Sequence, residues 1–128
     1  MNKKRVNDWL LTAKEALIKT GVVENGEINK TYRGHISSFG AAVVMGSLPA
    51  AVAFFSEQGG SKVHRENLIC AMYYCILGEL PNDAKAVLQY VCENNSNDLK
   101  EKFTDASIAL KLAMNFFDLV EGDSSGKS

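Results

Sequence analysis

Apolar residues recur at steps of three and four along most of this 128-residue chain, a period typical of amphipathic helices. The predicted helices cover about 3–20, 29–46, 49–58, 61–77, 83–93 and 97–120. Clusters of Gly, Pro and Asn separate them. We therefore predict an all-α fold, a single-domain bundle of about six helices spanning residues 1–120. Residues 121–128 are Gly, Ser and charged residues and are predicted to form a disordered tail.

The second and third predicted helices meet at the sequence Gly46-Ser47-Leu48-Pro49. The helix before this joint carries one apolar stripe, formed by Tyr32, Ile36, Phe39 and Val43. We predict a tight turn between two helices that cross at a steep angle, with Leu48 and Phe54 buried. Gly46 is expected to adopt a positive φ, as glycine often does at a helix end. Gly40 lies beside the stripe, where a missing side chain lets another backbone approach closely.

The segment Val22–Ile28 contains Asn25-Gly26 between apolar pairs, the strongest short-range signal for a β-hairpin. An isolated two-stranded ribbon of this length is marginally stable, and no other segment reads as a strand that would extend it. We therefore predict a loop here.

The chain contains three cysteines, Cys70, Cys75 and Cys92. Five residues on a helix place Cys70 and Cys75 about 140° apart, which excludes a metal site shared by these two within that helix. All three cysteines are predicted to be small buried hydrophobic residues in a reducing cytosol. No run approaches the ~18 apolar residues of a membrane span, so we expect a cytoplasmic protein with no membrane partner.

Charge is unevenly distributed along the chain, although the net charge is only −1. Residues 1–65 hold nine Lys or Arg against five Asp or Glu, a balance of +4, and residues 66–128 hold five against ten, a balance of −5. This polarity suits RNA on the positive part, or head-to-tail stacking of copies. Uneven halves of this size also arise by chance on solvated surfaces.

Basic residues in the positive half are the candidate nucleic-acid contacts. Lys30, Arg33 and Ser37 share one helix face, and a hydroxyl beside two cations offers donors to phosphate oxygens. Lys62 and Arg65 lie at the start of a predicted helix, where free backbone N–H groups also attract anions. Lys3, Lys4 and Arg5 form a basic arm at the N-terminus. The full candidate set is Lys3, Lys4, Arg5, Lys14, Lys30, Arg33, Ser37, Lys62 and Arg65. We predict that Lys30, Arg33, Lys62 and Arg65 lie on one continuous surface, with Lys3–Arg5 or Lys14 close by.

Motifs for catalysis are weak throughout. The terminal Gly122–Ser128 resembles a phosphate-binding loop, but it is one residue too short and follows a helix instead of a strand. His35 and His64 are the only histidines, and neither has metal ligands at a suitable spacing. We therefore predict no catalytic residues, no metal site and no cofactor.

The run Tyr32…Ser38-Phe39-Gly40-Ala41…Gly46-Ser47-Leu48…Ala53-Phe54 resembles the small subunit of type III-B CRISPR effector complexes, the Cmr small-subunit family. A helix that begins with Tyr, an aliphatic helix end, a Gly-x-Leu joint and a thin helix containing Ala and Phe follow in the same order in that family. The similarity extends through Lys62–Leu77. Family members often carry Pro at the position of Gly40 and Asn-Gly-Leu at the joint.

The resemblance implies a subunit without catalytic activity that serves antiviral defence. Such subunits stack in several copies along a guide RNA–target RNA duplex, between the backbone subunits and the large subunit. The charge polarity of this chain adds the expectation that the copies stack head to tail. They contact phosphates and sugars while base pairing reads the sequence. The alternative is a helical protein–protein adaptor or spacer, whose apolar surface around Ala50–Phe55 docks a partner without nucleic acid.

Overall fold

The computed structural model describes residues 1–57 and 63–121, and in these ranges helices dominate the fold. The helices are Lys3–Asp8 (α1), Leu10–Lys19 (α2), Thr31–Met45 (α3), Leu48–Ser56 (α4), Glu66–Leu77 (α5), Ala84–Glu93 (α6) and Asn97–Ala113 (α7), with a 3₁₀ turn at Met114–Phe116. The strands are Val23–Glu24 (β1), Glu27–Asn29 (β2) and Asp118–Val120 (β3). The predicted all-α bundle is therefore confirmed. The predicted disordered tail lies, apart from Glu121, outside the described residues.

Helix α7 occupies the centre of the bundle and packs against α1, α2, α3 and α5. Its buried apolar stripe consists of Leu99, Phe103, Ala106, Leu110 and Ala113. The stripe on α3 is buried as well, and the rings of Phe39 and Phe55 meet edge to face, 5.3 Å between centroids. This ring contact joins α3 to α4, while α3 also packs closely against α7.

The N-terminal helix predicted as one element is two, α1 and α2, which meet at Trp9. The backbone at Trp9 stays in the right-handed helical region, and its N–H donates to the carbonyl of Arg5 over 3.0 Å. The two helices therefore follow one another almost without a break.

The joint between α3 and α4 is the predicted tight turn, and Leu48 is buried. The Ser47 hydroxyl oxygen accepts the N–H of Ala50 over 3.1 Å and caps α4, a contact that contributes about 1 kcal/mol. The expected positive φ at Gly46 is wrong, since its φ is −116°. Gly46, with a ψ of −103°, and the extended Ser47 together separate the two helices. The expected burial of Phe54 is also wrong: its side chain is 52% exposed.

The segment predicted as a loop forms a hairpin. β1 and β2 pair antiparallel around Asn25 and Gly26, whose φ values of +54° and +76° are those of a type I′ turn. β3 then pairs in parallel with β2, in the register of Ile28 opposite Leu119, so the helix predicted to reach residue 120 ends at Ala113. The third strand and the fully buried Ile28 stabilise a ribbon that would be marginal alone.

The cysteines differ in burial. Cys75 is buried and Cys70 is half-buried, but Cys92 is exposed on the outer side of α6, contrary to its predicted burial. Among the described helices, none has the length and apolar content required to cross a membrane.

Candidate nucleic-acid interface

Helices α3 and α7 run antiparallel beside each other, and the contacts at their ends show this. Near the start of α3, Arg33 Nη1 donates to Asn115 Oδ1, just after α7, over 3.3 Å. At the other end, Lys100 at the start of α7 lines a cleft with Gly46, Ser47 and Leu48, just after α3. One face of each helix therefore borders a common line on the surface.

We call this line the α3–α7 seam. Its members are Arg33, Ser37 and Gly40 from α3, and Lys100, Thr104, Lys111 and Asn115 from α7 and the 3₁₀ turn. The spacing on α7 returns each of its members to the same side of the helix. The seam thus carries three cations, together with hydroxyl and amide groups, along about four turns of helix.

The carboxylates of these helices lie away from the seam. The chain has no Asp or Glu between residues 31 and 56. On α7, Asp98 pairs with Lys102 over 3.0 Å, while Glu101 and Asp105 face the Arg5 guanidinium at 3.9 and 3.0 Å. The positive charge of Arg33, Lys100 and Lys111 is therefore not offset by carboxylates of α3 or α7. Such a row of cations suits the phosphates of a nucleic-acid strand.

Two further residues of the predicted candidate set, Lys14 and Lys30, lie near the Arg33 end of the seam. Lys14 Nζ stands 4.9 Å from the centroid of the Phe116 ring, next to Asn115. Lys30 lies just before α3 and pairs with Glu121 over 2.8 Å. Lys14 thus extends the positive surface, whereas the charge of Lys30 is partly compensated.

The role predicted for the Ser37 hydroxyl needs a correction. Its Oγ donates to the backbone carbonyl of Arg33 over 2.8 Å, so the hydroxyl hydrogen is already engaged. Ser37 lies on the seam with Arg33, but its hydroxyl presents an oxygen that accepts hydrogen bonds instead of a donor to phosphate.

Arg65 lies apart from the seam. Its guanidinium carbon is 4.4 Å from the Phe54 ring centroid, and Nε donates to the Phe54 carbonyl over 3.3 Å. Partial burial and then the nearby charge of Arg65 lower the pKa of His35, which places Arg65 on the His35 side of α3.

Tyr32 belongs to the buried stripe of α3. Arg33 lies one residue after Tyr32, and His35 lies three residues after Tyr32. At about 100° per residue their side chains leave the helix on opposite flanks of the buried stripe. The continuous surface predicted for Lys30, Arg33, Lys62 and Arg65 is therefore wrong with respect to Arg65. Lys62 lies outside the described residues.

The predicted basic residues at the N-terminus, Lys3 to Arg5, lie in α1, within the helix predicted over about 3–20. The Asn2 side chain caps this helix and accepts the N–H of Arg5 over 3.0 Å. Arg5 binds the fully buried Asp105, and Lys4 pairs with Asp8 over 2.7 Å. Arg5 is thus a structural residue. Lys3 is exposed on α1, which packs against α7 on the side of Asp105 and not on the seam.

Sequence reasoning missed the α7 half of the seam. Lys100, Thr104, Lys111 and Asn115 lie four, seven and four residues apart, a helical spacing visible in the sequence. They belong to residues 66–128, which have a net negative charge. The search for basic residues in the positive half of the chain therefore did not include them. Spacing along one helix face was the signal that would have identified them.

A larger cleft, of about 510 Å³, lies between the hairpin and the start of α5. Glu24 and Glu27 are in its wall, together with Asn25, Asn29 and Asn67, so its charge opposes that of the seam. Within residues 1–57 and 63–121, no group of three or more His, Cys, Asp and Glu side chains is arranged to hold a metal ion. The α3–α7 seam is therefore the better candidate for an anionic ligand.

Comparison of the chain with protein-family models, with curated proteins and with solved structures gives no match.

Proposed function

We propose that this protein is a non-catalytic RNA-contacting subunit of a type III-B CRISPR RNA-guided effector complex, acting in the cytoplasm in antiviral defence. In this role the α3–α7 seam holds phosphates of a guide RNA–target RNA duplex. The backbone and large subunits of the complex hold the protein in place, and further copies stack along the duplex head to tail. Base pairing between the RNA strands supplies sequence recognition.

The observation that carries this proposal is the row formed by Arg33, Lys100 and Lys111. These cations lie along two antiparallel helices whose carboxylates face elsewhere. The row follows the line along which α3 and α7 pack, as contact with a strand of phosphates requires. One of its members, Arg33, lies on α3, the helix that carries the family-like residues Tyr32–Ala41. A contact of three phosphates is weak by itself, and neighbouring copies raise the effective concentration.

A helical adaptor without nucleic acid is the second candidate, and exposed apolar residues favour it. Val44 and Met45 at the end of α3 are 78% and 87% exposed, and Phe54 on α4 is 52% exposed. Ala50 and Ala53 are exposed as well, so the outer side of the α3–α4 joint is largely apolar. This surface is compatible with both candidates, because a subunit of a complex also needs protein partners.

Salt dependence of RNA binding separates the two candidates. The full chain is titrated with a fluorescent RNA duplex at several salt concentrations, and the logarithm of the affinity is plotted against that of the salt concentration. Contact with about three phosphates gives a slope of about −2 to −3. Binding that is independent of salt, or no binding at low salt, would contradict the proposed function and favour the adaptor.

A further inference from the structure

A small cleft opens in the middle of the α3–α7 seam at Gly40. It has a volume of about 170 Å³, and Ser37, Thr104, Ser107 and Lys111 are in its wall. A Cβ built on Gly40 would meet no heavy atom within 4 Å, so the space left by the missing side chain is open. We call this cleft the Gly40 notch.

The notch is smaller than a site for a drug-sized ligand. Pockets for drug-sized molecules measure about 300–1,000 Å³. A space of this size, open along a surface line, suits one group of a larger molecule that lies across it.

The hydroxyl groups of the notch have already donated their hydrogens. Ser37 Oγ donates to the carbonyl of Arg33 over 2.8 Å, Thr104 Oγ to that of Lys100 over 2.9 Å, and Ser107 Oγ to that of Thr104 over 2.6 Å. A carbonyl oxygen can only accept, so the direction of these three bonds is fixed. The notch therefore presents hydroxyl oxygens whose remaining capacity is to accept.

Lys111 provides the opposite kind of group. Its ammonium has three N–H donors and no acceptor. In the described part of the chain it forms no ion pair with a carboxylate. The wall of the notch thus combines a cation with a set of hydrogen-bond acceptors.

A phosphate alone does not match this combination, because a phosphodiester only accepts hydrogen bonds. It suits Lys111 but not the hydroxyl oxygens. A ribose 2′-hydroxyl can donate to such an oxygen, and in RNA every 2′-hydroxyl has a phosphate beside it. A ribonucleotide unit therefore matches both parts of the notch, whereas a deoxyribonucleotide unit matches only the cation.

We propose that the Gly40 notch is a ribose subsite: a 2′-hydroxyl donates to the oxygens of Ser37 or Thr104 while the adjacent phosphate binds Lys111. This subsite makes the seam selective for RNA over nucleic acids that lack the 2′-hydroxyl. The inference rests on the proposed function, because it requires that RNA lies along the seam.

The test compares two duplexes of the same sequence, one of ordinary RNA and one with 2′-fluoro groups on every sugar. Fluorine removes the donor but keeps an A-form duplex, so shape and phosphate charge are matched. The full chain is expected to bind the 2′-fluoro duplex about 2- to 10-fold more weakly, the effect of one lost hydrogen bond. Equal binding of the two duplexes would overturn the subsite and leave the proposed function standing. Binding of neither would overturn both.

A matched pair of variants locates the effect. Gly40→Leu fills the notch, and Gly34→Leu places the same side chain on the same helix, away from the seam. A Cβ at either position meets no heavy atom within 4 Å, and leucine favours a helix over glycine, so both variants are expected to fold. Gly34→Leu should keep the preference for the 2′-hydroxyl duplex, and Gly40→Leu should lose it. A folded Gly40→Leu variant that keeps this preference would overturn the subsite.

Discussion

Arg33 Nη1 donates a hydrogen bond to Asn115 Oδ1 over 3.3 Å, joining the first turn of α3 to the 3₁₀ turn that follows α7. These residues are 82 positions apart in the chain. Lys111 lies one helical turn before Asn115, and it lines the Gly40 notch together with Ser37. The positive seam is therefore produced by the pairing of two helices, one from each half of the chain.

The ion pair between Arg5 and Asp105 anchors α1 to the central helix α7. The carboxylate is fully buried, and it also accepts the N–H of Asn2 at 3.3 Å. Arg5→Met leaves this carboxylate buried without its cation, so the free energy of unfolding is expected to fall by about 3–5 kcal/mol in urea denaturation. Lys4→Met is the control: it breaks an exposed pair and should leave the stability nearly unchanged. Equal stability of the two variants would contradict this anchoring role.

Glycine substitutions at the hairpin and in α3 should have opposite effects. Gly26 has a φ of +76° in the type I′ turn, so Gly26→Ala is expected to destabilise the fold by about 1–2 kcal/mol. Gly34 lies within α3 in open space, and Gly34→Ala is expected to stabilise it by about 0.5–1 kcal/mol. Thermal unfolding of the two variants measures both changes. A stabilising Gly26→Ala would contradict the turn assigned here.

The helices were predictable from the sequence because each buries a periodic stripe, as Tyr32, Ile36, Phe39 and Val43 do on α3. The small sheet was not, since β3 exists only through its pairing with β2. In the sequence, Phe117 and Val120 continue the apolar period of α7, so local pattern alone extends that helix too far. The hairpin signal at Asn25-Gly26 was present, but its stability depends on that distant strand.

The α3 half of the candidate site was predictable from helical periodicity, and the α7 half was not. Arg33 and Ser37 share a helix face in the sequence, and the structure places both on the seam. Lys100 and Lys111 lie beside Arg33 and Ser37 only because α7 packs antiparallel to α3. The local sequence pattern of either helix does not predict this packing. The position of Arg65 on the other flank also depends on how α4 and α5 fold back.

The three thiols should react at very different rates. Burial raises the pKa of Cys70 to about 11, with smaller contributions from Asp83 and Glu66, and raises that of Cys75 to about 12. The thiolate is the reactive form, so at about pH 8 these two are expected to react slowly in the folded protein. Cys92 is exposed and should account for a single fast phase with a thiol reagent, which Cys92→Ser removes. A fast phase that survives in Cys92→Ser would contradict the burial of the other two.

Acid is expected to weaken the fold through His35. Its pKa is lowered from 6.5, first by partial burial and then by the charge of Arg65. The unfolded chain therefore binds a proton more readily than the folded protein. The contribution of this group is complete above pH 6.5 and declines as the pH falls toward the lower folded-state pKa. His35→Gln should remove this part of the pH dependence in denaturation measurements. An unchanged dependence would show that other groups cause it.

Charge reversal on the seam tests the central claim, contact between the α3–α7 seam and RNA phosphates. Arg33→Glu and Lys111→Glu each place a carboxylate within the row of cations. Lys85→Glu makes an equal change in net charge on α6, where Lys85 is exposed; α6 packs against α4 and α5. The three variants therefore separate a local contact from a general effect of protein charge.

The decisive measurement is the affinity of these variants for one RNA duplex as a function of salt concentration. We predict that Arg33→Glu and Lys111→Glu each weaken binding and reduce the magnitude of the salt slope by about 1, while Lys85→Glu leaves both quantities at the wild-type value. Equal weakening by all three variants would show that binding follows net charge, and it would contradict a phosphate-contacting seam between α3 and α7.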